Sequence, residues 1–123
     1  MTVQLYNPSS SRVLRAQQAW PILIAAAHRG EILTYDELAL TMFEKTAAGV
    51  LAGILGCVAF WCADYDLPAI TSIVVNKVTG EPGVGIPHQR SIPAEQQKVF
   101  AYKWYLIHPP TIEEFEVMEK KYL

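Results

Sequence analysis

The longest apolar run is AAGVLAGILGCVAFWCA, residues 47–63, seventeen positions without a charge or a proline. It is too long for one strand and lacks the alternation of a half-buried one, so the pattern predicts a helix. A helix that is apolar on nearly every side is enclosed either by other elements or by lipid. At about 1.5 Å per residue this one spans roughly 25 Å, near the lower limit for a bilayer. Its three glycines and five alanines dilute the hydrophobicity, and Lys45, Asp64 and Asp66 flank it with ordinary surface charges. The expectation is a core helix, with Gly49, Gly53 and Gly56 letting neighbouring helices approach.

The surrounding pattern supplies what covers it. Val13, Leu14, Ala16, Ala19, Trp20, Leu23, Ile24 and Ala27 form an apolar stripe at helical spacing, entered from the serine run 9–11 and stopped at Gly30. Pro21 lies inside the stripe, so this helix either kinks there or begins there. Residues 1–10 read as a loose arm or a short edge strand. Thr34 and Glu37 make a capping box for a short helix carrying Leu38, Ala39, Met42 and Phe43. Behind Pro68, the run ITSIVV (70–75) reads as a strand, the run TGEPG (79–83) as a turn, and residues 84–86 as the returning strand of a small hairpin. Ser91 and Pro93 open a further helix with an aromatic face, Pro109 and Pro110 break it, and Thr111 with Glu114 cap a final amphipathic helix. The expected fold is α+β and mostly helical, one domain over 1–123. A winged-helix-like core spans about 12–86 and a helical extension about 91–123, because helix, capped helix, longer helix and hairpin follow the winged-helix order.

Composition narrows the picture. Hydrophobic residues are 51% of the chain and charged residues 18%, which excludes a disordered chain and leaves apolar surface to be covered by a partner or a second copy. The net charge of −2 gives no general attraction to nucleic acid or anionic membrane. The amino terminus shows no signal-peptide pattern. Cys57 and Cys62, five positions apart on one helix, are separated by about 140° and cannot bridge, so they read as buried thiols suited to a reducing cytoplasm.

Candidate chemistry is sparse. His28, His88 and His108 have no metal-ligand spacing, and neither metal, cofactor nor membrane span is expected. Asp64 and Asp66 form a like-charge pair of the kind that tunes a general acid, but the preferred reading is two solvated loop residues. The glycine-rich 80–85 segment lacks the Lys-Ser/Thr of a phosphate loop. A non-enzymatic binding protein is the resulting expectation.

The run 30–39 (GEILTYDELA), a following helix, Leu67-Pro68, and Ile73-Val74-Val75-Asn76 ahead of Gly80 resemble the DNA-binding domain of the alkyltransferase and alkyltransferase-like family over residues 30–85. In that family a G-x-(I/V)-x-T-Y-G-x-(I/L)-A segment precedes the DNA-binding helices and P-C-H-R-V-V leads to a glycine turn. The resemblance implies a regulatory or DNA-binding winged helix. It departs where chemistry would matter: Thr71 stands in place of the alkyl-accepting cysteine, and Gly49 near the base-replacing arginine. DNA contact would then fall to Lys77, Thr79, Arg90, Lys98 and Lys103. The rival expectation is a protein-interaction module or inhibitor, of the compact kind common among phage-encoded proteins, or a homodimer, gripping through Tyr102, Trp104 and Tyr105. The bland alternative for those aromatics is core packing.

Overall fold

The computed structural model describes residues 2–46, 48–83 and 91–123. Helix α1 (Arg12–His28) starts where the Ser11 hydroxyl accepts the Leu14 N–H at 3.2 Å. It runs through Pro21 without ending, giving up the one backbone bond that proline cannot donate. Gly30 stops it. The Glu31 N–H returns to the Ala26 carbonyl and the Gly30 N–H to Ala27, a reversal that places Gly30 at φ +67, where a side chain would be strained.

Strand β1 (Leu33–Thr34) leads directly into α2 (Tyr35–Phe43), and the expected capping box is present: Thr34 accepts the Glu37 N–H, and Glu37 accepts the Thr34 N–H. A 3-10 turn at Ala48–Val50 enters α3 (Leu51–Asp64), the predicted core helix. Helix α3 packs against α1 on one side and α5 (Ile112–Tyr122) on another, with Leu51, Cys57, Val58 and Cys62 fully enclosed. Gly53 and Gly56 serve close approach as expected, though it is side chains that reach them: Arg12 lies over the first and Leu123 over the second. Gly49 has open space above it. Trp20 of α1 sits at the junction, meeting Trp61 and Trp104 edge-on at 5.4 and 5.7 Å. The second capping box, Thr111 with Glu114, opens α5. Among the described residues the fold is a mostly helical α+β arrangement with one small sheet.

The 70–75 strand and its hairpin require correction. Residues Ile70–Ile73 form a 3-10 turn, and only β2 (Val74–Val75) is extended. Its partner is β1, in parallel, with Leu33 opposite Val74 and Thr34 opposite Val75. The β-branched residues Ile70 and Ile73 are fully buried, and packing of the turn against α1, α3 and α4 (Ile92–Ala101) decides its shape over strand propensity. After β2 the chain folds on itself. Asn76 donates its N–H to the Glu81 carbonyl, its side chain accepts from Val78 and Thr79, and Gly80 (φ +71) completes the turn. The proposed return strand, 84–86, lies outside the described residues.

Candidate functional site

The parallel pairing brings the start of α2 and the segment after β2 to the same end of the sheet. Tyr35 and Asp36, the first two residues of α2, each hold one point of the 76–83 segment. The Lys77 ammonium donates to Asp36 at 2.8 Å, and the Gly83 N–H donates to the Tyr35 hydroxyl. A side chain at Gly83 would collide with that hydroxyl, so the approach requires glycine. Between this strap and α3 lies a groove of about 590 Å³.

Its floor is a row of small residues running from the 3-10 turn into α3: Gly49, then Ala52, Gly56 and Ala59, recur at intervals of three and four, with Phe60 and Leu123 closing one end. Polar groups are few. Thr71, 4% exposed, faces the groove from the 3-10 turn, and its hydroxyl has no hydrogen-bond partner among the described residues. Asp36 and Lys77 neutralise each other, and the bond from Asp36 and its charge hold the Lys77 ammonium above its ordinary range. Val78 projects at the rim, 85% exposed. An apolar concavity with a few convergent polar groups is the usual character of a binding site.

The turn carrying Thr71 is fixed from behind by α4. Glu95, buried beneath it, accepts the Ala69 N–H at 2.8 Å, and the Gln96 amide donates to the Ser72 carbonyl at 2.8 Å. These two consecutive residues brace the turn at both ends.

The sequence-derived contact residues do not all gather here. Lys77 lines the groove, while Thr79 belongs to the adjoining turn, its hydroxyl accepting the Glu81 N–H. Lys98 is exposed on α4 and Lys103 follows it, neither in an ion pair among the described residues. Helix α4 packs on the turn that precedes β2, whereas Lys77 follows β2. Arg90 lies outside the described residues. Trp104 is not a surface group. It is 2% exposed, packs on Trp20 and donates its indole N–H to the Val99 carbonyl, so core packing accounts for it. Tyr102 is half-buried against Trp104, and Tyr105 is exposed with its ring edge-on to His28.

Asp64 and Asp66 separate in role. Asp66 takes a left-handed turn conformation (φ 55), while Asp64 fastens α5 to α3 by accepting from the Tyr122 hydroxyl at 2.6 Å and Lys121 at 3.3 Å. Tyr122 also stacks on Phe60 at 4.3 Å. The Tyr122 hydrogen bond, opposed by desolvation and helped by Lys121, lowers the Asp64 carboxyl below its ordinary 3.8. A depressed carboxylate contributes stability above its unfolded value and loses it as pH falls through the folded one. Asp64→Asn is therefore expected to lower the thermal midpoint near neutrality and to flatten its decline below about pH 4. An acid limb parallel to wild type would show that Asp64 titrates alike in both states.

Among the described residues, no group of three His, Cys, Asp or Glu side chains is placed to hold a metal, and no helix is long and apolar enough to cross a membrane. Cys57 and Cys62 are unpaired and buried, and burial pushes their thiols up to about 11 and about 12. No protein-family model, curated protein or solved structure matches the chain.

Proposed function

We propose that the chain is a non-enzymatic binding protein whose groove receives an apolar side chain from a protein partner, a second copy included, in the manner of an interaction module or inhibitor. The observation that carries this reading is the composition of the groove: a floor of glycine and alanine, apolar rims at Val78 and Leu123, and one ion pair whose charges cancel. A flat floor of small residues admits a bulky side chain, and apolar anchors in desolvated pockets dominate interface energetics. Thr71 and Asn76 give such an anchor polar groups to orient it.

Ala52 offers a clean test, since it is exposed on the floor and outside the core. Ala52→Trp should fill the groove without unfolding the protein. Wild-type and variant baits are compared for captured proteins and, by sedimentation velocity across a concentration series, for self-association. Complexes that use the groove should weaken by about tenfold or more in the variant, the loss of one anchoring side chain. Complexes retained equally by both baits would place the interface elsewhere.

A second reading, a winged-helix-like DNA-binding or regulatory domain, is favoured by the succession α1, α2, α3, β2 and turn, and by Lys98 and Lys103, which make no ion pair among the described residues. It meets an obstacle at the 3-10 turn and the start of α3, where the exposed positions are Gly49, Val50 and Ala52 rather than groups that read bases or neutralise phosphates. Labelled duplex DNA titrated at low and moderate salt decides between the readings. A salt-sensitive anisotropy rise weakened by Lys77→Ala with Lys103→Ala supports DNA, because phosphate contacts release counterions. A flat trace at low salt leaves the groove reading.

A further inference from the structure

A second cavity, about 870 Å³ and sharing no lining residue with the groove, lies among the amino-terminal arm, α1 and the end of α2. Arg15 stands in its wall, 8% exposed. Every hydrogen bond of its guanidinium ends on an uncharged oxygen. Nη1 donates to Gln18 Oε1 at 2.8 Å and to the Met42 carbonyl at 3.3 Å, and Nη2 donates to the Asn7 carbonyl at 2.9 Å. The rings of Tyr6 and Phe43 flank it, 5.2 and 4.7 Å from its central carbon. These contacts fix the plane of the fork and use three of its five N–H donors; the rest, Nε included, have no partner among the described residues.

None of them brings a full negative charge. No carboxylate lies within ion-pair distance of Arg15 among the described residues, and residues 1, 47 and 84–90 contain no Asp or Glu. The carbonyl end of α2 and the two aromatic faces offset only part of the cost of burying the cation. The cavity carries a charge imbalance as well: Arg12, Arg15 and Lys45 line it against Glu44 alone. Arg12 also reaches Glu119, but at 3.7 Å and with both side chains about two-fifths exposed, a weak pairing. The site is built for a cation and lacks its anion.

We propose that this cavity is an oxyanion site, with a phosphate or carboxylate group bound on the unused N–H donors of Arg15. A guanidinium is planar by delocalisation, and with its orientation fixed by these neighbours its fork can offer parallel donors, the geometry that such oxygens accept bidentately. Lys45 at the mouth adds attraction without fixing orientation, and the Ser10 hydroxyl, whose oxygen accepts the Asn7 N–H, keeps its own O–H to donate.

The full chain is titrated with inorganic phosphate and, separately, with acetate, ionic strength being held constant with chloride. Binding is followed by calorimetry and by the thermal midpoint. A saturable signal with either anion is expected, accompanied by a rise in midpoint that chloride alone does not give. Saturation by phosphate only identifies a phosphate group as the ligand, and saturation by acetate only identifies a carboxylate. Arg15→Lys keeps the charge but removes the fork, and should weaken binding by about tenfold or more. Because Arg15 also ties the arm to α1 and α2, Lys45→Ala serves as the variant that leaves this packing intact, with an expected loss of about threefold. Absence of saturation with both anions would overturn the proposal, as would affinities unchanged in both variants; Arg15 would then be a strut between the arm and the helices.

Discussion

Trp61→Ala is expected to destabilise the protein by about 4 kcal/mol, in the range for truncating a large buried aromatic. Two losses combine at this position. The indole is packed edge-on against Trp20 and beside Tyr65, so its removal opens a cavity where α1, α3 and α5 meet. Its N–H donates to Glu114 at 3.1 Å, and Glu114 simultaneously accepts from the Tyr65 hydroxyl and the Thr111 N–H. Burial raises the Glu114 carboxyl, but the bonds from Thr111, Trp61 and Tyr65 outweigh it and hold the group below its ordinary range. The variant therefore creates a void and strips a donor from a capping carboxylate. Trp61→Phe separates the two: it keeps most of the volume and loses the N–H, and should cost about 1–2 kcal/mol. Chemical denaturation measures both. A Trp61→Ala cost below about 1 kcal/mol would mean that the three helices collapse into the gap.

The second large effect is expected at Glu95. Glu95→Ala leaves the buried Ala69 N–H without an acceptor and empties the space under the 3-10 turn, a cost of about 3 kcal/mol. Glu95→Gln retains an oxygen in the same place and should stay within about 1 kcal/mol of wild type. The contrast between the two variants matters more than either value, since it isolates the hydrogen bond from burial. The effect is not confined to stability. Ala69 precedes Thr71 by two residues, and Gln96 alone would then brace the turn, so Glu95→Ala should also loosen whatever the groove binds. Equal stability of the Ala and Gln variants would show that the Ala69 N–H finds water or another acceptor.

What was legible in the sequence was local. Both capping boxes, the glycine stop at Gly30 and the core character of α3 follow from residues within one or two turns of each other, where spacing alone carries the physics. The parallel pairing of β1 with β2 was not legible, because a two-residue strand has no periodicity and its partner lies beyond two intervening helices. The reading of residues 70–75 as a strand followed propensity, and the burial of Ile70 and Ile73 on three helices outweighed it.

The groove was hidden for a different reason. Each of its parts reads as something else in isolation: Tyr35 and Asp36 as a helix start, Lys77 as a DNA contact beside a hairpin, Thr71 as a strand residue in place of a family cysteine. A signal is present in the recurrence of Gly49, Ala52, Gly56 and Ala59 from the 3-10 turn into α3. The glycines of this stretch, Gly49, Gly53 and Gly56, instead suggest close helix packing, which holds at Gly53 through Arg12 and at Gly56 through Leu123 and not at Gly49. Arg15 gave no signal at all, since an arginine in an apolar stripe reads as a solvated position until its surroundings are known.

The packing of α5 on both α1 and α3 also bears on how the chain reaches its fold. Those three helices span nearly the whole sequence, and the Trp20–Trp61 contact they enclose stays open to water until residues 112–122 dock. Helix formation is fast and local, but this docking step closes a long loop and its entropy must be met before the contacts form. During synthesis the first half of the chain emerges with its largest aromatic surfaces uncovered, the interval in which hydrophobic chains aggregate or recruit chaperones. If that docking comes late, substitutions in α5 should act mainly on the rate of unfolding, and substitutions between α1 and α3 on the rate of folding.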